Sequence, residues 1–174
     1  YIEAGLLDAR NLDLRRKTRR PERKKSGPVL RVDRNCHLGR GYEDFQEYMR
    51  ENPDACVSQM DSVILKKGGQ TLLTILFTNC DLQLMFLRER NTSASVSEVF
   101  RRLRRVLGDA RFQMLFQVVL TDRGSEFTDP MRIEADTENG EAQCRVFYCD
   151  PMNSNQKSAC ERNHEFIRYV IPKG

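Results

Sequence analysis

The sequence predicts an α/β domain: a mixed five-stranded sheet with helices on its faces. Three observations lead there. Residues 56–87 hold three apolar runs joined by tight connections. Residues 96–107 switch to the apolar period of a helix. Two short apolar runs, residues 116–121 and 145–149, and a second helical stretch then follow.

Residues 43–50 predict a short helix that stops before Pro53. Residues 56–65 read as a strand, with Lys66-Lys67-Gly68-Gly69 as its turn. Residues 70–78 are almost continuously apolar, as in a strand covered on both faces. Residues 82–87 complete an antiparallel meander. Val96, Val99, Phe100, Leu103, Val106 and Leu107 then form one helix face, with Ser93 or Ser95 as N-cap and Gly108 as the stop. Arg101, Arg102, Arg104 and Arg105 occupy the opposite, solvated face. Residues 116–121 form a short buried strand ending at Asp122-Arg123-Gly124, residues 126–141 a polar loop, and residues 145–149 the fifth strand. A last helix runs from about Asn155 to Val170, closing before Pro172.

At 174 residues the chain holds one domain and an appendage. No run approaches the roughly 18–20 apolar residues of a membrane span, and residues 72–77 are already broken by Thr74. The start, Tyr1-Ile2-Glu3-Ala4, has neither an initiator Met nor a signal pattern and reads as a cut within a longer chain. Six cysteines without a C-x2-C pair, and histidines only at 37 and 164, argue against zinc and disulfides and for reduced thiols in a cytosolic protein. Cys80, Cys149 and Cys160 fall within or at the ends of apolar segments and serve as small hydrophobes.

The net charge of +4 hides a division. Residues 1–40 carry twelve Lys/Arg against five acids, which leaves the remainder three acids in surplus. Arg15, Arg16, Lys17, Arg19, Arg20, Arg23, Lys24 and Lys25 crowd an arm with no apolar period, expected to be extended or disordered until bound and to meet phosphates. The chain therefore divides into residues 1–54, a basic linker with a short helix, and residues 55–174, the folded core.

Three carboxylates sit where chemistry can gather. Asp61 lies inside the first strand on the side of Val57, Val63 and Leu65, where a charge must be paired or ligate a cation. Asp122 ends the fourth strand, just before a glycine that permits a sharp turn, and ligand sites collect outside such strand ends. Glu161 belongs to the last helix. Clustered carboxylates invite divalent cations, and oxygen-only ligands suit two Mg2+ or Mn2+ ions flanking a scissile phosphate. Glu126, Asp129, Asp150 and Glu165 are rivals by position.

The wording of these segments then matters. Met60-Asp61-Ser62-Val63, Leu120-Thr121-Asp122-Arg123-Gly124-Ser125-Glu126-Phe127, Phe147-Tyr148-Cys149-Asp150-Pro151 and Gln156-Lys157 through Glu161-Arg162-Asn163-His164 resemble the catalytic core of bacterial insertion-sequence transposases of the IS-thirty type, relatives of the retroviral integrase core. The resemblance runs from Arg10-Asn11 to Ile171-Pro172-Lys173-Gly174. It implies an RNase H-like fold and an Asp-Asp-Glu triad at Asp61, Asp122 and Glu161 that binds two Mg2+ ions. It also implies DNA partners (element terminal repeats and target DNA), a homo-oligomer on DNA, no membrane or small-molecule cofactor, and a bacterial cytoplasmic, nucleoid-associated setting. Lys157, one turn before Glu161, is expected at the rim holding a DNA phosphate, and Arg123, Gly124, Asn163 and His164 are expected to support the site.

Two positions depart from that family: Arg123 stands where Asn is usual and Ser158 where Gly is usual. Arg123 is expected beside Asp122, impairing metal binding, or else pointing outward to a phosphate. Ser158 is harmless in a helical backbone and costly in a left-handed one. The function implied is metal-dependent phosphodiester hydrolysis and strand transfer. Its alternatives are a catalytically impaired DNA-binding or assembly module, and an RNase H-like nuclease outside transposition.

Overall fold

The computed structural model describes residues 35–65, 69–135 and 142–171. The arm at 15–25 and the turn at 66–68 lie outside them. Five strands, β1 (Val57–Ile64), β2 (Thr71–Phe77), β3 (Leu82–Arg88), β4 (Val118–Thr121) and β5 (Arg145–Tyr148), form one sheet in the order β3-β2-β1-β4-β5. The first three pair antiparallel, while β4 and β5 run parallel to β1. The fold is RNase H-like, as the resemblance implies. Among the described residues no helix is long and apolar enough to cross a membrane.

Alternation along the strands gives the sheet two different faces. Met60, Leu73, Ile75, Phe77, Val119, Val146 and Tyr148 point to one side, against α2 (Ser93–Leu107) and α3 (Asp109–Leu115). The centre of this layer is aromatic: Phe112 stacks on Phe116 at 4.7 Å, with Phe100 edge-on to both and Phe77 edge-on to Phe116. The opposite side carries Val118, Leu120 and Phe147 beneath α1 (Tyr42–Glu51), whose Phe45 and Tyr48 meet Phe147. On that same side α5 (Ser158–Val170) packs against β1 and β2.

Several expectations are corrected. Helix α1, placed with the basic linker, packs on the sheet, and the preceding segment is anchored as well: His37 lies edge-on to Tyr148, and Tyr148 donates its N–H to the Arg40 carbonyl at 2.8 Å. The N-cap of α2 is Thr92, not Ser93 or Ser95; its hydroxyl accepts from the Ser95 N–H, and Ser95 completes the capping box. Val106 faces outward and Cys80 is exposed. Arg104 is not solvated, since its guanidinium lies over the Phe112 ring and donates to Gln143.

Helix α3 and the structure after Asp122 were not expected. Residues 126–135 do not form a polar loop: a 3-10 turn at Ser125–Phe127 and helix α4 (Pro130–Glu134) bury Phe127 and Ile133. Two of its three acids are buried with partners. Glu126 accepts from Asn91 at 2.8 Å. Glu134 is gripped by both Arg40 nitrogens and accepts the Val146 N–H at 2.8 Å. The last helical stretch begins as a 3-10 turn at Ser154–Lys157 before α5 takes over.

Candidate active site

Parallel pairing of β1 and β4 sets Gln59 opposite Leu120. Two residues further along each strand stand Asp61 and Asp122, which puts both carboxylates on the α5 side of the sheet at the carboxyl end of β4. Each is held the same way. The Oδ1 of Asp61 accepts the Ser62 N–H at 2.6 Å, and the Oδ1 of Asp122 accepts the Gly124 N–H at 2.9 Å. With one oxygen of each fixed to backbone, both Oδ2 atoms turn toward a common point.

The Lys157 ammonium fills that point. Its Nζ lies 2.9 Å from Asp61 Oδ2, 3.6 Å from Asp122 Oδ2 and 3.3 Å from the Met60 carbonyl. Lys157 is only 4 % exposed, so it sits inside the site and not at the rim where the sequence reading put it. The segment before α5 delivers it there: Gln156 accepts from the Asp150 N–H at 2.7 Å and donates back to the Asp150 carboxylate at 2.8 Å, closing the loop that follows β5. Burial pushes the lysine pKa down, but Asp61 and Asp122 outweigh it and leave it raised. The Asp122 pKa is raised as well. Burial of its carboxylate raises its pKa although 48 % of the side chain is exposed; Lys157 opposes the rise and Asp61 adds to it.

Glu161 does not join this pair. It lies exposed on the first turn of α5, and among the described residues the compact donor group is instead Asp61, Cys160 and His164, with ligand atoms within 4.8 Å of one another. His164 Nδ1 is 3.7 Å from Asp61 Oδ2, while its Nε2 meets the Thr74 hydroxyl at 2.8 Å and Cys160 Sγ at 3.6 Å. Thr74 in turn donates to the Asp61 carbonyl. The signal for this group was the i, i+4 spacing of Cys160 and His164 on one helix face. Burial pushes the Cys160 thiol up to about 11 and holds the His164 ring below 6.5; Asp61 opposes the histidine shift, and Lys157 and Arg168 reinforce it.

That shift has a measurable sign. As pH falls through 6.5 the unfolded chain takes up a proton before the folded ring does, so stability present above that pH is lost below it. Thermal melts of the wild type should fall more steeply below pH 6.5 than those of His164→Asn. Parallel curves would show that His164 contributes nothing to the acid limb.

The supporting positions divide. Arg123 turns away from Asp122, donating to the Cys149 carbonyl at 3.2 Å and approaching Asp150 at 3.9 Å; the cation among the acids is Lys157. Asn163 ties α5 to β3 through Gln83 at 2.6 Å, outside the acid pair. Ser158 is helical (φ −56°, ψ −32°), so no left-handed backbone is required of it. Gly124 is needed for space and not for a turn, because its φ is −63°. A Cβ there would stand 2.6 Å from Glu126 Oε2 and 3.0 Å from Asp122 Oδ1. Glu126 is buried and held by Asn91, so it cannot retreat cheaply. Gly124→Ala should cost roughly 1–3 kcal/mol in urea unfolding, the usual scale of overpacking; a neutral result would mean that the Glu126 carboxylate moves freely.

Neither a family model nor a curated protein matches the chain. Among solved structures it is similar to the catalytic core domain of BIV integrase, with 20 % identity and a TM-score of 0.45, covering 62 % of this chain and 63 % of that one. It is also similar to a chain of the simian T-cell lymphotropic virus intasome in complex with PP2A regulatory subunit B56 gamma, with 18 % identity and a TM-score of 0.45, covering 62 % and 36 %. The chain thus spans less than two thirds of either relative's length.

Proposed function

We propose that the chain is the catalytic core of a DNA transposase of the IS-thirty type, cutting a phosphodiester at an element end and joining the freed 3′ hydroxyl to target DNA. The observation that carries this reading is the Asp61–Asp122 pair, two carboxylates with backbone-fixed Oδ1 atoms and Oδ2 atoms that share one cation position. The two carboxylates fit Mg2+ or Mn2+, since they offer hard oxygens and already gather around a positive charge, with Cys160 and His164 beside Asp61 as softer donors. Asp61 and Asp122 would hold the ions, with Glu161 joining from the exposed first turn of α5. Bound there, divalent ions supply charge neutralisation and activation of the attacking oxygen. The chain's own part is positioning: Ser62, Gly124 and Thr74 fix the acids, and neither step needs a covalent protein–DNA link.

The basic arm supports the DNA assignment. Eight of the eleven residues from 15 to 25 are Lys or Arg, and neutralised phosphates release counterions. Deleting residues 15–28 should flatten the dependence of log K on log salt for duplex DNA, whereas an unchanged slope would make the arm a spacer. A bacterial cytoplasmic setting and a homo-oligomer on DNA belong to the same reading.

One observation favours a second reading. Lys157 occupies the cation position and Glu161 stands apart from it, which suits an assembly module without catalysis. The deciding experiment incubates labelled duplexes carrying the element's flanking ends with the chain and Mn2+. Nicked ends and joined products support the transposase, nicks without joining point to a nuclease outside transposition, and DNA binding with no metal-dependent product leaves the assembly module.

A further inference from the structure

We propose that Lys157 is an exchangeable internal counterion, which offsets the charge of the Asp61–Asp122 pair in the metal-free protein and must leave when a divalent cation enters. The inference rests on the reading of that pair as a metal site and adds how the site is loaded.

The geometry around Nζ is that of a cation among oxygens more than that of a single salt bridge. Three oxygens from two strands face it: Asp61 Oδ2, Asp122 Oδ2 and the Met60 carbonyl. Each carboxylate is anchored through its other oxygen, so the pair stays assembled when the ammonium departs. The charges do not close with lysine alone. Two carboxylates face one ammonium, and Arg123 has turned to Cys149 and Asp150. Glu126, beside Gly124, stands on the Asp122 side and is faced by the Arg88 guanidinium. A divalent ion matches the two carboxylates where one ammonium leaves a charge over, and it cannot share the same few ångströms with the ammonium because like charges repel strongly there.

Lys157 is also placed so that it can move. It is the last residue of the 3-10 turn and the N-cap of α5, and no side-chain cap bond of its own secures the helix start. Rotation along its four-carbon stem carries the ammonium outward without unwinding α5. In that position it becomes the phosphate-binding lysine that the sequence reading expected at the rim. One side chain thus serves as counterion inside the empty pair and as a free cation beside the loaded one.

The test compares Mn2+ binding to the wild type and to Lys157→Gln by calorimetry and by loss of the free-ion paramagnetic resonance signal. Removal of the competing charge should tighten Mn2+ binding by on the order of tenfold or more. Equal or weaker binding by Lys157→Gln, with measurable binding by the wild type, overturns the counterion role and leaves the metal site standing. No Mn2+ binding by either protein overturns both readings. Should Lys157→Gln fail to fold, wild-type protein labelled with nitrogen-15 lysine carries the test. The buried Lys157 ammonium should show slow proton exchange without metal and become fast-exchanging on Mg2+ addition; a signal that stays protected while Mg2+ binds overturns the proposal.

Discussion

Asp61→Ala is expected to lower the unfolding free energy by about 3–5 kcal/mol, the range for removing one partner of a buried ion pair. The loss comes less from the missing attraction than from the ammonium left behind. Lys157 is 4 % exposed, and in the variant its nearest carboxylate oxygen is that of Asp122 at 3.6 Å. Asp122 is half open to solvent and already opposed by burial, so it is a weaker partner. The double variant Asp61→Ala/Lys157→Met should recover most of the loss, because an apolar pair of similar volume often replaces a buried ion pair at little cost. Equilibrium urea unfolding of the four proteins in the cycle gives the answer. If the double variant is no more stable than Asp61→Ala, the ammonium is not the source of the penalty.

This arrangement also shows how far the sequence could be read. The five strands, α2 and α5 were legible because their signals are local: unbroken apolar runs in β2, the i, i+3, i+4 spacing of Val96, Val99 and Phe100, and the stop at Gly108. Helix α3 was hidden because it restarts directly after that stop, with one fully buried side chain, Phe112. The Asp61–Asp122 pair was legible because a charge inside a strand and a charge at a strand end both demand an explanation.

What escaped the reading was where long cations point. Lys157 meets its partners 96 and 97 positions earlier in the chain, and Arg123 finds the Cys149 carbonyl 26 positions later. Arg104 hides over Phe112 by aiming its planar head at a ring on the next helix. Glu126 and Glu134 looked like loop residues for the same reason, since the groups that make them tolerable in the interior, Asn91 and Arg40, lie on distant segments. Periodicity records burial of apolar groups; it carries no information on a polar group whose burial depends on a partner from elsewhere.

Phe100→Ala should be as costly as the loss of Asp61, about 3–5 kcal/mol, but for the opposite reason and on the opposite side of the sheet. Phe100 is fully buried and makes edge contacts with Phe112 at 6.3 Å and Phe116 at 5.8 Å. Those two rings are stacked on each other at 19° and braced by Phe77 and Arg104, so they cannot slide into the vacated space without breaking contacts of their own. A site that cannot collapse keeps most of its cavity, which puts the substitution at the upper part of the range. The acid pair should not notice. Asp61 and Asp122 lie on the face packed by α5 and are tied by the N–H groups of Ser62 and Gly124, while the aromatic layer fills the other face. Below its lowered melting temperature, Phe100→Ala should therefore bind Mn2+ as the wild type does, while Asp61→Ala loses both stability and binding. A parallel fall in Mn2+ affinity with Phe100→Ala would show that the two faces of the sheet are mechanically coupled and that the pair depends on the core beneath it.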